Sequence, residues 1–244
     1  MRLFIRRIMH KLGYDIVKYN PSYITGRIDT EDLTKEFKWL KDFGFKTILD
    51  VGANEGQFAD KMVTLFPNTF IYAFEPIPET FDLLCRNFKN SKYFKGINVA
   101  LGDTEGEISF NKNEYSPSSS LLDMSQNHLN SFEYAAKTNP IKVKIEKLDH
   151  LMKDEPFQLP LLVKLDVQGF EDKVIRGGTS VIQKADLILC EVSFSELYKG
   201  QPLFSEIYDM FRELGFNYAG NIEQLRSPET NLILQADAVF IKSK

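Results

Sequence analysis

Cysteine, histidine and tryptophan are scarce in this chain, with two, three and one of them among 244 residues. Cys85 and Cys190 both sit in apolar segments, so they read as reduced core residues of a cytosolic protein, not as a disulfide or a zinc site. His10 and His150 read as surface or packing residues, whereas His128 lies in a polar stretch that can bring it to a site. Apolar runs stay short of the roughly 18 residues that a membrane span needs. Excess positive charge is missing as well: 30 Lys and Arg against 34 Asp and Glu give a net charge of −4. That balance argues against nucleic acid as a partner, because such a partner calls for a concentrated basic surface.

What is present suits a folded α/β domain. Apolar residues make up 43% and charged residues 26%, close to the globular norm, and the length is enough for one substantial core. At the N-terminus, Arg6 and Arg7 interrupt any signal-peptide apolar region. Helical spacing there gathers Phe4, Ile5, Ile8, Met9 and Leu12 on one arc and Arg2, Arg6, Arg7, His10 and Lys11 on the other, with Leu3 as the exception. Such a helix either packs its apolar face on the domain or rests peripherally on an anionic membrane surface. A second helix is expected from about Thr30 to Asp42. The expected organisation is therefore a helical extension over residues 1–45 and a single domain over 46–244, with an insertion at about 103–150.

From Thr47 onward apolar strands alternate with amphipathic helices. Strands are expected at Thr47–Val51, Phe70–Phe74 and Tyr93–Leu101, separated by helices at Gln57–Leu65 and Glu79–Phe88. This alternation marks a parallel sheet with helical crossovers. Between Gly102 and His150 the pattern becomes an antiparallel pair, Glu107–Asn111 and Lys142–Glu146, flanking a polar stretch long enough to be an active-site loop. In that stretch Ser118–Ser120 are candidates for a lid, and Tyr115, Phe132 and Tyr134 offer faces for stacking on a sugar ring. The main pattern resumes with strands at Leu161–Asp166 and Leu187–Val192 and helices at Glu171–Ile175 and Leu203–Leu214. Closing strands follow at Phe216–Ala219 and Ala236–Ile241.

In open α/β sheets ligands bind beyond the carboxyl ends of the strands. The turn Gly52-Ala53-Asn54-Glu55-Gly56 lies at the end of the first strand, where two glycines allow tight turning and close approach to bare backbone. Asn54 tolerates a left-handed conformation better than most residues. Glu75 ends the second strand, where a carboxylate can accept hydrogen bonds from the ribose hydroxyls of an adenosine. A dinucleotide fingerprint would want glycine where Asn54 and Gln57 stand, so the turn poorly fits a pyrophosphate. S-adenosylmethionine carries no pyrophosphate and suits this turn better; an NAD-linked oxidoreductase is the alternative, and a catalytically silent nucleotide-binding module is a third.

The series Asp50-Val-Gly-Ala-Asn-Glu-Gly-Gln-Phe58, Phe74-Glu75-Pro76, Asn98-Val-Ala-Leu-Gly102 and Lys164-Leu-Asp-Val-Gln-Gly-Phe-Glu171 resembles the FkbM-type methyltransferase family. The resemblance runs from about Thr47 to Ile241, and it is the order of the motifs together that is specific. It implies a Rossmann-like class I α/β methyltransferase with a mainly parallel seven-stranded sheet, helices on both faces and S-adenosyl-L-methionine as cofactor. It also implies O-methylation of a hydroxyl on a sugar, glycan or glycolipid precursor. Carried over residue by residue, Asp50, Gly52, Asn54 and Gly56 would surround the methionine part of the cofactor and Glu75 the ribose. Asn98, Ala100 and Leu101 would then lie near the adenine.

Asp166 ends the fourth strand of the parallel pattern and Glu191 falls near the end of the fifth, so both are expected at the mouth where an acceptor would lie. A carboxylate within hydrogen-bond reach can take the proton an alcohol loses as it attacks. Asp166 is the first candidate for base or acceptor-orienting group and Glu191 the second. Two other readings stand beside this one: a structural network of Lys164, Asp166 and Glu171 around the Gly169 turn, and a magnesium ion held by Asp166 and Glu191, for which a third acid is wanting.

Overall fold

Buried strands, each apolar on both faces, form the centre of the protein. The structure is a computed structural model and describes residues 35–113, 120–123, 138–227 and 230–243. The N-terminal amphipathic stretch, His128, Tyr115, Phe132, Tyr134, Ser118 and Ser119 lie outside the described residues. The chain divides into two compact units, Met1–Glu36 and Phe37–Lys244. At Lys35–Phe43 the expected α-helix is instead a 3₁₀ helix. Its three-residue period puts Phe37, Leu40 and Phe43 in line, and the first two are buried.

Seven strands make the main sheet: β1 (Thr47–Val51), β2 (Phe70–Phe74), β3 (Phe94–Ile97), β7 (Leu161–Leu165), β8 (Leu187–Ser193), β9 (Phe216–Arg226) and β10 (Ile233–Lys242). Their order is β3-β2-β1-β7-β8-β10-β9. The first five are parallel, whereas β10 runs antiparallel to both β8 and β9. Alternate residues along each strand go to opposite faces. Leu49, Val51, Val163 and Leu165 join one core cluster together with Val174 and Phe211; Ile48, Ile71 and Leu162 join the other with Phe58, Met62 and Leu84. Helices α1 (Gln57–Leu65) and α2 (Pro78–Asn87) cover the second face. Helices α3 (Leu148–Leu151), α4 (Glu171–Gly177), α5 (Thr179–Ile182) and α6 (Phe204–Glu213) cover the first. This is the expected Rossmann-like architecture, a mainly parallel seven-stranded sheet with helices on both faces. Among the described residues no helix is long and apolar enough to cross a membrane.

The expected third strand, Tyr93–Leu101, is in fact two. β3 stops at Ile97, and β4 (Ala100–Leu101) joins a second sheet of order β4-β6-β5, with β5 at Gly106–Asn113 and β6 at Thr138–Glu146. The break is made by Asn98, whose side-chain amide donates to the carbonyls of Glu75 (2.8 Å) and Pro76 (3.1 Å) and turns the chain out of the main sheet. Apolar residues on either side of Asn98, Ile97 before it and Val99-Ala100-Leu101 after it, conceal this corner. β5 and β6 are the antiparallel pair expected in the insertion, with Glu107 opposite Lys144 and Phe110 opposite Ile141.

β4 is held close to α4 by glycines. A Cβ on Gly177 would lie 1.9 Å from the Gly102 carbonyl oxygen, so the backbones there approach nearer than any side chain allows. Gly177→Ala is therefore expected to cost about 2 kcal/mol through overpacking, seen as a lower urea midpoint at unchanged slope. An unchanged midpoint would show that the two segments do not depend on this approach.

Candidate active site

The strand order reverses between β1 and β7, and the crevice outside their carboxyl ends is where an open α/β sheet binds ligands. A cleft of about 490 Å³ opens there. Its two sides are built by different halves of the sheet.

The turn after β1 forms one side. Gly52 has φ +77°, and a Cβ there would lie 1.8 Å from the Asp166 carbonyl oxygen, so only glycine lets the ends of β1 and β7 meet. Asn54 is left-handed at φ +50°. That conformation aims its backbone N–H at Glu75 Oε2 (3.0 Å), while the Ile77 N–H donates to Oε1 (2.9 Å). Glu75 is buried at 5% exposure yet lines the cleft, and each of its oxygens keeps a lone pair for a further donor. Ile77, Val99, Ala100, Leu101 and Phe110 add an apolar wall beside it. A bare-backbone turn, a buried acid with free acceptor capacity and an apolar slot together fit the amino acid, ribose and adenine parts of adenosylmethionine.

Gly52, Asn54, Glu75, Ala100 and Leu101 thus line the cleft, and three other expected cofactor residues do not. The Asp50 side chain is fully buried behind the turn, with the Lys164 ammonium 3.8 Å from Oδ1 as its counter-charge. Gly56 starts α1 at φ +96°, where a Cβ would strike Phe88 and Leu84. Asn98 spends its amide on the corner described above. These three hold the turn and its neighbour in place because their polar groups and backbone face inward.

The other side carries Asp166 and Glu191, and the structure brings them together through a residue that the sequence left unremarked. Gln168 Nε2 donates to Asp166 Oδ1 (2.8 Å) and to Glu191 Oε2 (2.7 Å), while its Oε1 accepts the Tyr198 hydroxyl (2.8 Å). Gln168 is left-handed at φ +54°, an uncommon conformation for a residue with a side chain. Ser120 of the insertion donates to the Gln168 carbonyl at 2.6 Å, tying that segment to the turn. Lys164 Nζ lies 3.0 Å from Asp166 Oδ2, and Glu171 Oε1 accepts the Val167 and Gly169 N–H groups. Lys164 and Asp166 thus form an ion pair, while Glu171 separately holds the backbone of the Gly169 turn. The amide proton pair of Gln168 stands where a shared magnesium ion would have to bind Asp166 and Glu191. Asp237 and Glu223 also line this side. An acid inside the otherwise apolar strand Ala236–Ile241 was the available signal for Asp237. His150 lies at the surface beside Glu105, at 3.1 Å.

Burial dominates the titration of these groups. It raises Glu75 and Glu171 to about 7 against the pull of the backbone N–H groups they accept, and Asp50 to about 6 against that of Lys164. Burial, then the neighbouring Asp166, raises Asp237 to about 6 and carries Glu191 well above the usual carboxylate range. For Lys164 burial works downward, but Asp166 and Asp50 outweigh it and hold the ammonium above its ordinary value.

The sequence profile of the methyltransferase FkbM domain matches residues 50–218. The 2-O-methyltransferase NoeI of Sinorhizobium fredii is 30% identical over 169 residues, covering 67% of this chain and 70% of that protein. The hexuronic acid methyltransferase AglP of Haloferax volcanii is 28% identical over 144 residues, 59% of this chain and 54% of that one. A crystal structure of methyltransferase FkbM from Methylobacillus flagellatus superposes with a TM-score of 0.49 at 10% identity, over 81% of this chain and 44% of the other.

Carboxyls raised on folding bind protons that the unfolded chain releases, so they favour the folded state below about pH 4 and lose that contribution as pH rises through about 6–7. Urea stability is expected to fall between about pH 5 and pH 8 for this reason. Glu171→Gln, which keeps an oxygen for the two N–H groups, should flatten the fall. A variant with the wild-type slope would remove Glu171 from the account.

Proposed function

The chain belongs to the FkbM methyltransferase family, and from that premise we propose that it transfers the methyl group of S-adenosylmethionine to a hydroxyl of a sugar, glycan or glycolipid precursor. The observation that carries this reading is the pairing of Asp166 and Glu191 on one amide donor, across the cleft from the Glu75 turn. Two relatives whose names specify 2-O-methylation and hexuronic acid methylation support a sugar as the acceptor.

Glu75 would hold the ribose, the Gly52–Asn54 turn the amino acid part, and the wall of Ile77, Ala100 and Leu101 the adenine. Adenosylmethionine supplies an electrophilic methyl group on its sulfonium when bound. Asp166 receives the acceptor hydroxyl as a hydrogen-bond donor, orients its oxygen and takes its proton as the new carbon–oxygen bond forms. Lys164 balances the charge on Asp166, and Gln168 fixes the direction of its other oxygen. Glu191, whose carboxyl is pushed well above the usual range by burial and by Asp166, accepts a hydrogen bond from the acceptor's neighbouring hydroxyl. The apolar wall keeps water from competing for the methyl group.

Calorimetry with adenosylhomocysteine tests the cofactor half. Binding is expected, and Glu75→Ala should weaken it by about ten- to a hundredfold, the worth of a lost hydrogen bond to a charged group; no binding by the wild type would refute the assignment. Labelled adenosylmethionine incubated with extract of the source cell tests the transfer. A labelled product stable to mild alkali, as an ether is, should form. Asp166→Asn should lower turnover by about 10²- to 10⁴-fold while leaving adenosylhomocysteine binding intact. Equal turnover by Asp166→Asn would instead favour the purely structural network.

A further inference from the structure

Among the described residues, the half of the cleft that would receive the acceptor is rich in hydrogen-bond acceptors, and several of its donors are already engaged. Asp237 of β10 stands directly opposite Glu191 of β8 in the ladder, an arrangement of like charges that ordinarily destabilises a sheet. Glu223 and Asp166 line the same half. Against these four acids the lining has two lysines, Lys61 and Lys164. Lys164 already serves Asp166 at 3.0 Å and Asp50 at 3.8 Å.

The neutral donors are used in the same way. Both protons of Gln168 Nε2 go to Asp166 and Glu191, the Tyr198 hydroxyl proton goes to Gln168, and Gln235 Nε2 donates to Glu191 Oε2 at 3.1 Å. A wall of this kind satisfies hydroxyl or ammonium donors. Among the described residues it meets an incoming carboxylate with four acids against two lysines, one of them already paired with Asp166 and Asp50.

We propose that this wall selects the acceptor by charge, taking a hydroxyl on an uncharged or cationic sugar ring and rejecting a ring that bears a carboxylate. The inference rests on the methyl-transfer reading above and adds the class of acceptor. Asp237 and Glu223 are its specificity-determining residues. They sit on β10 and β9, away from the Glu75 side that would hold the cofactor.

The full chain, given labelled adenosylmethionine and three matched aryl glycosides, should label the glucoside and the glucosaminide at least about tenfold faster than the glucuronide. Asp237→Asn combined with Glu223→Gln should narrow that gap, with retained adenosylhomocysteine binding as the check on folding. Faster labelling of the glucuronide overturns the proposal. If none of the three is labelled, the product formed in source-cell extract decides. A labelled sugar that is neutral or cationic supports it; one that carries a carboxylate, whether methylated on that group or beside it, overturns it. Absence of label in both, with adenosylhomocysteine still bound, overturns the methyl-transfer reading and the charge selection with it.

Discussion

The interaction on which the site depends is a buried cation. Lys164 sits on the central strand β7 and faces Asp50 of β1 in the parallel ladder, with Asp166 two residues further along its own strand. Two acids near the sheet's carboxyl edge would repel each other if left alone, and one ammonium at 3.0 and 3.8 Å answers both. Removing such a partner from a buried network costs several kcal/mol, because the charge left behind has neither water nor a counter-ion. The ends of β1 and β7 can therefore be brought as close as Gly52 permits.

From that junction the two sides of the cleft are built by opposite means. On the cofactor side backbone N–H groups converge on one carboxylate, Glu75, which thereby fixes both the β1 turn and the start of α2. On the acceptor side a single amide, Gln168, gathers two carboxylates and is itself oriented by Tyr198. One arrangement is a nest of donors around an acid; the other is a set of acids around a donor. Both leave spare acceptor capacity facing the cleft, which the ribose and acceptor hydroxyls of the proposed reaction would use.

The residues behind these sides explain why much of the functional motif is invisible from the cleft. Asp50, Gly56 and Asn98 belong to the recurring pattern, yet each looks inward: to Lys164, to Phe88 and Leu84, and to the Glu75 and Pro76 carbonyls. Their contribution is to the positions of Gly52, Asn54 and Glu75. Ser120 extends the same logic to the insertion, because its hydroxyl anchors that segment on the Gln168 turn.

Local pattern was enough to reveal the strands and helices of the parallel half, since β1 and β2 are short buried runs bounded by turn residues and α1 buries Phe58, Ala59, Met62 and Leu65 at helical spacing. The spacing of Gly52, Asn54, Gly56 and Glu75 likewise displayed the nucleotide turn, because a left-handed residue and close backbone approach restrict which side chains can stand there. Tertiary structure decided what has no local signature. The corner at Asn98 is made by carbonyls more than twenty residues away in sequence, between apolar neighbours that suggest one strand. The pairing of Asp166 with Glu191 through Gln168, and the placing of Asp237 opposite Glu191, depend on which strands lie side by side. That order is set by burial of the whole sheet between two helical layers, and no short stretch of sequence contains it.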